Sequence, residues 1–332
     1  MVVATVILLF ACAAVCNCVG PEPPGGFEAY SANPEENCKV PWHYDIENDT
    51  FGPYCWGNTW KNCYGTKQSP INIDTEKVSY KSFSPKYNLS KELSGTLVIV
   101  ERSPKFLVNE RNSLYNLSQI PFLKKDEMFR LKQFHMHFPA KEDGVGSEHR
   151  INCEGYDGEL HFVHKKPNEA ESETVVVLAI FVEKGDNTEL ALQGFFENLK
   201  EVQKCGDAKN FSLHRLTFLE NLEDLYTYNG SFTTPPCDER VIWLIKRKPI
   251  TVSEEHFEIL EQLRYDEIHI SEHGNIRPPF PMTVDRKVHA NFKVPNGENK
   301  ENKHGNNNDK NNGDECTEWY KSRRCRKDND DS

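Results

Sequence analysis

Two short segments with histidines in a strand-like pattern constrain the fold of this chain more than any other feature. Gln133–Phe138 contains His135 and His137, and Glu159–His164 contains His161. On a β-strand, residues two apart point to the same face, so the first two imidazoles would share a face. A third imidazole on a neighbouring strand would complete a three-ligand metal site. The pattern therefore predicts that the two segments pair in one sheet.

The identity of the third ligand stays open on spacing alone, because His149 and His164 compete with His161 for that place. Three neutral imidazoles leave the fourth position of a zinc ion free for water, which is the arrangement of catalytic sites. A closed structural site would use four protein ligands. The three-histidine arrangement would therefore be a catalytic Zn²⁺ site, but an H-x-H pair alone more often consists of ordinary strand histidines, so the spacing leaves both interpretations open.

The rest of the globular region has more strand-like segments than helical ones. Runs rich in β-branched and aromatic residues between turn signals predict strands. Such runs occur at Phe129–Phe138, Leu160–His164, Thr174–Glu183 and Val241–Arg247. Helices are predicted over Glu189–Val202 and Glu254–Leu263, the second with Ser253 as its N-cap. Without a βαβ rhythm, we predict a mainly β (α+β) fold: a central mixed, largely antiparallel twisted sheet with peripheral helices.

The two ends of the chain differ in composition from the region between them. Val2–Val15 is an uncharged apolar run too short to span a bilayer, which is typical of a signal peptide. The C-terminal segment contains nine Asn, with eight Lys or Arg against nine Asp or Glu, and predicts disorder. The predicted organisation is a signal peptide over 1–18, a flexible segment over 19–38, one domain over 39–295 and a polar tail over 296–332, in which Cys316 and Cys325 could close a small loop.

Cysteine usage indicates the secretory route. Eleven cysteines are too many for a typical cytosolic protein, and the eight outside the leader allow four disulfides whose pairing the count cannot give. Zinc binding by these eight is disfavoured because they contain no C-x-x-C pair. The net charge of −11 argues against nucleic-acid binding, and no membrane span is expected after processing. We predict a secreted, extracellular glycoprotein with N-glycosylation motifs at Asn48, Asn88, Asn116 and Asn210.

Six segments resemble motifs of the α-class carbonic anhydrases, in the same order and across most of residues 40–294. They are Gln68–Ile73, Arg130–His137, Gly146–His149, Glu159–His164, Gly230–Pro236 and Asn275–Pro279. The resemblance implies the α-carbonic anhydrase fold, a Zn²⁺ cofactor, and reversible hydration of carbon dioxide to bicarbonate and a proton.

The resemblance also implies a role for each matching residue. The implied zinc ligands are His135, His137 and His161. Gln133 and Glu159 match the partners that orient the first and third ligands and raise their basicity. His149 matches a buried structural histidine of the family, and His164 is interpreted in the same way.

Substrate handling is implied at a second group of positions. Thr233 and Glu148 match a pair that orients the attacking oxygen, since a hydroxyl has only one proton to donate. Thr234 matches a residue that contacts bicarbonate. Carbon dioxide has no net dipole, so an apolar wall is implied, formed by Val163, Val177, Phe232, Val241 and Trp243. Phe232 replaces a smaller aliphatic residue of many members, which predicts a narrow pocket that admits carbon dioxide more easily than bulky esters.

Cys63 and Cys237 match a disulfide found in extracellular members, and the bridge would brace the loop that contains Thr233. A fifth glycosylation motif, at Asn229, adjoins this loop, and we do not expect a glycan there.

Two segments depart from the family. Val100–Leu107 contains no histidine, whereas fast members have a proton-shuttling histidine in this region, with Ser103 or a neighbour nearest the expected place. His43 is an alternative shuttle supported only by its residue type, so we predict slow proton release. Phe138-Pro139 replaces the usual Trp-Gly after the ligand pair, and the proline removes one backbone donor.

Three further hypotheses concern function. The polar tail resembles, in composition only, the segments of nacrein-type shell-matrix proteins, so a calcium carbonate mineral or matrix partner is a hypothesis beside a plain linker. A non-catalytic structural or mineral-matrix relative is the alternative to the enzyme, although such relatives usually lack a zinc histidine. A zinc protease is set aside because the chain has no H-E-x-x-H motif.

Overall fold

The computed structural model describes residues 38–294 except for 39, 49, 110, 112–113, 142–143 and 168–172. The predicted signal peptide, the polar tail and the Cys316–Cys325 loop lie outside the described residues. Within the described part, no helix is long and apolar enough to cross a membrane.

Sixteen strands and three α-helices make up the described fold. The strands are β1 (Asn72–Ile73), β2 (Ser79–Tyr80), β3 (Lys86–Leu89), β4 (Glu92–Val100), β5 (Ser103–Val108), β6 (Tyr115–Ser118), β7 (Met128–His137), β8 (Arg150–Ile151), β9 (Gly158–Lys165), β10 (Val175–Gly185), β11 (Ala208–His214), β12 (Leu225–Gly230), β13 (Val241–Ser253), β14 (Arg264–Tyr265), β15 (Ile268–His269) and β16 (His289–Ala290). The helices are α1 (Trp56–Thr59), α2 (Leu190–Leu199) and α3 (Glu254–Glu261), and 3₁₀ turns occur at Lys61–Tyr64, Thr75–Lys77, Thr217–Leu219 and Ile270–Glu272.

One twelve-stranded sheet dominates the fold. Its order is β11-β4-β5-β7-β9-β10-β13-β12-β16-β2, and β6 pairs with β7 and β3 beside this path. The β10–β13 and β16–β2 pairs are parallel and the other pairs of this sheet are antiparallel. The prediction of a mainly β protein with a mixed, largely antiparallel sheet is confirmed.

The central strands of the main sheet are buried on both faces, and side-chain alternation divides their residues between two cores. In β10, Val176, Leu178 and Ile180 belong to the larger cluster, which includes the apolar faces of α2 and α3. Val177 and Ala179 point to the opposite face and join a smaller cluster. Each fully buried aliphatic side chain of this size contributes about 1.5–3 kcal/mol to folding, so both faces stabilise the sheet.

β13 extends past its predicted end at Arg247. Ile180 of β10 pairs with Lys246, but Val182 pairs with Ile250, so the ladder contains a bulge at Pro249. A bulge leaves its extra residues outside the regular pairing, and proline lacks the N–H that a ladder requires. The strand therefore continues past the proline to Ser253.

Both long helices are shorter than predicted, ending at Leu199 and Glu261. The chain beyond closes in tighter turns, such as the bond from the Val202 N–H to the Leu199 carbonyl at 3.3 Å. Ser253 occupies the N-cap of α3, but its side chain makes no capping bond. Its hydroxyl instead accepts a hydrogen bond from Thr188 Oγ1 at 3.1 Å.

Disulfides join distant parts of the domain. Cys63 is bonded to Cys237, and Cys38 to Cys205. Cys55 and Cys153 are also disulfide-bonded. The first bridge links positions 174 residues apart, and closing so long a loop stabilises a folded domain by roughly 2–5 kcal/mol. It holds the chain that follows Thr233 against the N-terminal part of the domain.

Candidate metal centre

β7 and β9 bring the three predicted ligand histidines to one face of the sheet. His135 lies directly opposite His161 in the antiparallel register. Phe134 and Met136, which alternate with the histidines of β7, pack into the larger cluster on the other face. His137 therefore points to the same side as His135, and the three ring centroids lie 4.5–5.2 Å apart.

One ring nitrogen of each histidine is held by an oxygen acceptor. The bonds run from His135 Nδ1 to Gln133 Oε1 at 2.9 Å, from His137 Nδ1 to the Asn275 carbonyl at 2.6 Å, and from His161 Nε2 to Glu159 Oε1 at 2.7 Å. Each bond fixes the ring proton on the outer nitrogen and leaves a lone pair on the inner one. The inner nitrogens all lie within 4.8 Å of one another.

The inner nitrogens of His137 and His161 are only 3.1 Å apart. Because both outer nitrogens already donate, neither inner nitrogen has a proton to share, and two lone pairs face each other. Burial is the largest cause of a lowered pKa at all three rings, which keeps them neutral. Neutral, convergent imidazoles are the form that binds a divalent metal.

Glu148 gives a second sign that a cation fits here. Its Oε2 is buried, makes no hydrogen bond in the described part of the chain, and lies 3.5 Å from His137 Nε2 and 3.9 Å from His161 Nδ1. Burial raises the pKa of this carboxyl well above its ordinary value. A divalent cation at the inner nitrogens would attract Glu148 Oε2, which has no hydrogen-bond donor, and would favour the ionised form of this carboxyl. The residues present therefore fit a metal.

Glu159 links the centre to His149. Its Oε1 accepts hydrogen bonds from His161 Nε2 and His149 Nδ1, each at 2.7 Å, and its Oε2 accepts the His149 backbone N–H at 2.8 Å. Burial alone raises the pKa of Glu159, but the two facing rings outweigh it and hold the pKa well below its ordinary value. This trio is a chain of hydrogen bonds, so it is not a second metal site.

His149 and His164 both have their ring nitrogens occupied by other groups. His149 Nε2 faces the Tyr228 hydroxyl at 2.7 Å. His164 Nδ1 faces the Val176 carbonyl at 3.1 Å, and its Nε2 pairs with the Tyr87 hydroxyl. The structure places neither ring with the convergent trio.

The Thr233 hydroxyl donates a hydrogen bond to Glu148, and the Arg277 backbone N–H donates to Glu148 Oε1 at 2.8 Å. The two predicted partners are thus in contact beside the histidines. Thr234 lines the same cavity as Thr233.

Sequence reasoning gave no role to two residues of the Asn275–Pro279 motif that hold the centre together. The Asn275 side chain accepts from the Phe138 N–H at 2.7 Å and donates to the Met136 carbonyl at 3.0 Å, while its own carbonyl orients His137. Arg277 is almost fully buried, and its guanidinium donates to Gln68 Oε1 at 3.0 Å. The match of Asn275–Pro279 to a family motif was the signal in the sequence that could have pointed to them. Asn and Arg side chains each carry several hydrogen-bond donors, which suits them to hold loops together.

After His137 the chain leaves β7 and turns at Phe138-Pro139. The Phe138 N–H donates a hydrogen bond to Asn275 Oδ1, and the Asn275 backbone N–H donates to the Phe138 carbonyl at 3.2 Å. The preceding Gly274 has φ +65°, and a Cβ there would lie 2.6 Å from the Ala140 nitrogen. Glycine is therefore required where this loop approaches the proline turn.

The three histidines open into a cavity of about 20 Å³, enough for a water-sized molecule. Four of the predicted wall residues line it: Val163, Val177, Phe232 and Trp243. Val241 does not line it. In the sheet register Val177 pairs with both Val163 and Trp243. Val241 instead pairs with Val175, two positions earlier on β10, and its side chain packs in the smaller apolar cluster.

Among the described residues, no histidine beyond the trio lines this cavity. Tyr44, Glu101, Ser103 and Lys105 are the other polar side chains that line it besides Thr233 and Thr234. His43 lines a separate cavity of about 180 Å³. The structure therefore does not bring His43 to the centre.

The four predicted glycosylation sites differ in accessibility. Asn88 and Asn210 are exposed on β3 and β11, whereas Asn116 lies directly opposite Asn88 and its Oδ1 is buried. Asn48 Oδ1 accepts backbone N–H groups of its own turn. Asn229 is exposed.

Comparison with known proteins gives the family. The sequence profile of eukaryotic-type carbonic anhydrase matches residues 51–292. Human carbonic anhydrase 3 is 30% identical over 264 residues and human carbonic anhydrase 7 is 31% identical over 265 residues. Carbonic anhydrase 1 of Monodelphis domestica is 31% identical over 266 residues. Each alignment covers 76% of this chain and 98% of the relative. The chain belongs to the eukaryotic-type carbonic anhydrase family, whose mainly β α-class fold it adopts.

Proposed function

We propose that the protein is a zinc enzyme that catalyses the reversible hydration of carbon dioxide to bicarbonate and a proton. The observation that supports this most directly is the pair of inner nitrogens of His137 and His161, which face each other 3.1 Å apart with no proton between them. Together with His135 they would hold Zn²⁺. Three imidazoles leave the fourth zinc position open, as in catalytic sites.

Bound zinc would lower the pKa of a water in its open position and so supply a nucleophile near neutral pH. Thr233 would orient that nucleophile. Its single proton goes to Glu148, so its oxygen can only accept a hydrogen bond from the attacking oxygen. Held in this way, the attacking oxygen would keep a lone pair free for the substrate. Glu148 itself is held by the Arg277 N–H, which keeps the acceptor fixed.

The cavity suits a small, uncharged substrate. Val163, Val177 and Trp243 form an apolar surface beside the histidines, and the Trp243 ring lies 4.8 Å from the His161 ring. Carbon dioxide makes no strong hydrogen bonds, so an apolar surface favours it over water. Phe232 also lines the cavity and reduces the room for a bulky ester.

Proton release is expected to limit turnover. No shuttle histidine lines the described cavity, so the proton must pass to solvent or buffer. At saturating carbon dioxide, raising imidazole from about 1 to about 50 mM should raise kcat severalfold, because a good proton acceptor operates near the working pH. Stopped-flow hydration on protein of known zinc content measures this.

An internal control comes from the same kinetic series. The ratio kcat/KM covers only the steps through bicarbonate release, so buffer should leave it unchanged. A kcat that is already maximal without imidazole would refute slow proton release.

We propose that the protein is secreted. The uncharged leader-like run Val2–Val15 and the glycosylation motifs support this. Disulfides persist mainly in oxidising compartments, and the described domain contains Cys38–Cys205 and Cys63–Cys237.

We further propose that the protein supplies bicarbonate where calcium carbonate forms and that residues 296–332 contact mineral or matrix. The support is the composition of this segment, with nine Asn and nearly balanced charge. In a supersaturated calcium bicarbonate solution, the full chain should alter crystal growth more than a variant lacking 296–332. Both proteins should hydrate carbon dioxide equally, and identical crystal growth would identify the segment as a spacer.

A further inference from the structure

Lys105 is a buried cation in the wall of the metal cavity. It lies on β5 directly opposite His135 and is 3% exposed. Its side chain lines the cavity together with the three histidines and Thr234. A lysine ammonium is rarely buried without a partner, and here it pairs with the Glu101 carboxylate.

Glu101 lies on the solvent side of this ion pair. Its side chain is 37% exposed, whereas that of Lys105 is 4% exposed. Both side chains line the metal cavity, but the positive end of the pair is buried beside His135 and the negative end is the more solvent-exposed. An anion inside the cavity would lie nearer to Lys105 than to Glu101.

The backbone that presents Glu101 is strained and firmly anchored. Val100 and Ser103 close a two-residue hairpin in which Glu101 and Arg102 have φ of 49° and 57°. Such hairpins strongly favour Asn-Gly, because both central residues must be left-handed. Neither residue here is of that type.

Arg102 secures the turn from the other side. Its Nε donates to the Trp42 carbonyl at 3.0 Å, its guanidinium stacks 4.5 Å above the Tyr265 ring, and its carbonyl accepts from Asn275 Nδ2 at 3.2 Å. A disfavoured conformation held by several contacts indicates a functional constraint. Its consequence here is that the Glu101 carboxylate is fixed beside Lys105.

We propose that Lys105 is an anion-docking residue that holds bicarbonate, or a competing inorganic anion, beside the open metal position, and that Glu101 positions Lys105 and weakens anion entry. The proposal rests on the proposed zinc and carbon dioxide chemistry. Charge-assisted hydrogen bonds are about twice as strong as neutral ones, so an ammonium at this place discriminates anions from neutral ligands.

Removing the charge of Lys105 and removing that of Glu101 should have opposite effects on anion binding. Lys105→Met should weaken the affinity for thiocyanate about tenfold, which corresponds to about 1.4 kcal/mol. Glu101→Gln should strengthen it severalfold, because the repelling carboxylate is gone. The double variant should resemble Lys105→Met. Lys125→Met, at an exposed lysine before β7, is the matched control and should leave the affinity unchanged.

The probe is the visible spectrum of cobalt-substituted protein titrated with thiocyanate, since zinc has no such spectrum. Neutral 1,2,4-triazole, titrated in parallel, should bind all variants within about twofold, which separates charge from pocket shape. Zinc content and thermal unfolding of each variant show that the site is intact. If Lys105→Met alone is unstable, the double variant without either charge provides the test.

The outcomes separate this inference from the proposed function. Thiocyanate affinity that is equal in wild type and Lys105→Met, in variants that bind metal, would overturn anion docking and leave the enzyme proposal standing. Parallel losses for thiocyanate and triazole would show that Lys105 acts only on pocket shape, which also overturns it. A wild-type protein that binds no zinc would instead contradict the proposed function.

Discussion

Replacing His137 with alanine is expected to abolish stoichiometric zinc binding and to lower carbon dioxide hydration by more than about 100-fold. Loss of a hydrogen-bond partner of a ligand already costs about 10–100-fold in metal affinity or activity, and loss of a ligand exceeds that. His137 contributes the Nε2 that faces His161 Nδ1 at 3.1 Å. Without it, two imidazoles remain, which is too few for the open catalytic site.

The variant needs controls because His137 is buried. His137→Gln keeps more of the side-chain volume and should also lose zinc. His214→Ala removes an exposed histidine of β11 and should retain both metal and activity. Metal content by atomic emission and hydration by stopped flow measure the outcome.

Two results would contradict this expectation. A folded His137→Ala protein with full zinc and full activity would remove His137 from the ligand set. A folded wild-type protein without zinc would favour the alternative, a non-catalytic matrix protein on the carbonic anhydrase fold.

The strand-borne part of the site was the most predictable from sequence. The two-residue period of a strand assigns His135 and His137 to one face whatever the surrounding fold. When β7 and β9 pair in the observed register, His161 lies opposite His135. Spacing alone left His161 and His164 as alternatives. The resemblance implied His161, which is the histidine that the register places opposite His135.

The parts of the site contributed by distant loops were harder to anticipate. Asn275 reaches His137 and Phe138 across more than 130 positions, and no local pattern in sequence encodes such a contact. The pairing of Lys105 with Glu101 depends on a left-handed turn at Glu101 and Arg102, and neither Glu nor Arg favours that conformation. Strand register also matters, since Trp243 pairs with Val177 at the cavity while Val241 pairs with Val175 and stays in the core.

Replacing Thr233 with valine is expected to lower kcat/KM for carbon dioxide by about 10²–10³-fold, the range seen when one positioned hydrogen-bonding group is removed from an active site. Valine keeps the shape of threonine but cannot accept from the attacking oxygen or donate to Glu148. Zinc content should stay at one ion per chain, because Thr233 supplies no ligand. This separates the variant from His137→Ala, in which metal and activity are lost together.

Thr227→Val provides a matched control for this substitution. Thr227 is fully buried in β12, and its hydroxyl has no hydrogen-bond partner in the described part of the chain. Replacing an unsatisfied hydroxyl by a methyl group should be neutral or slightly stabilising, with activity unchanged. Equal activity of Thr233→Val and Thr227→Val would show that the Thr233 hydroxyl orients nothing in the reaction. A large loss confined to Thr233→Val, at full zinc content, would mean that metal binding alone does not suffice for hydration and that the Thr233–Glu148 contact directs the nucleophile.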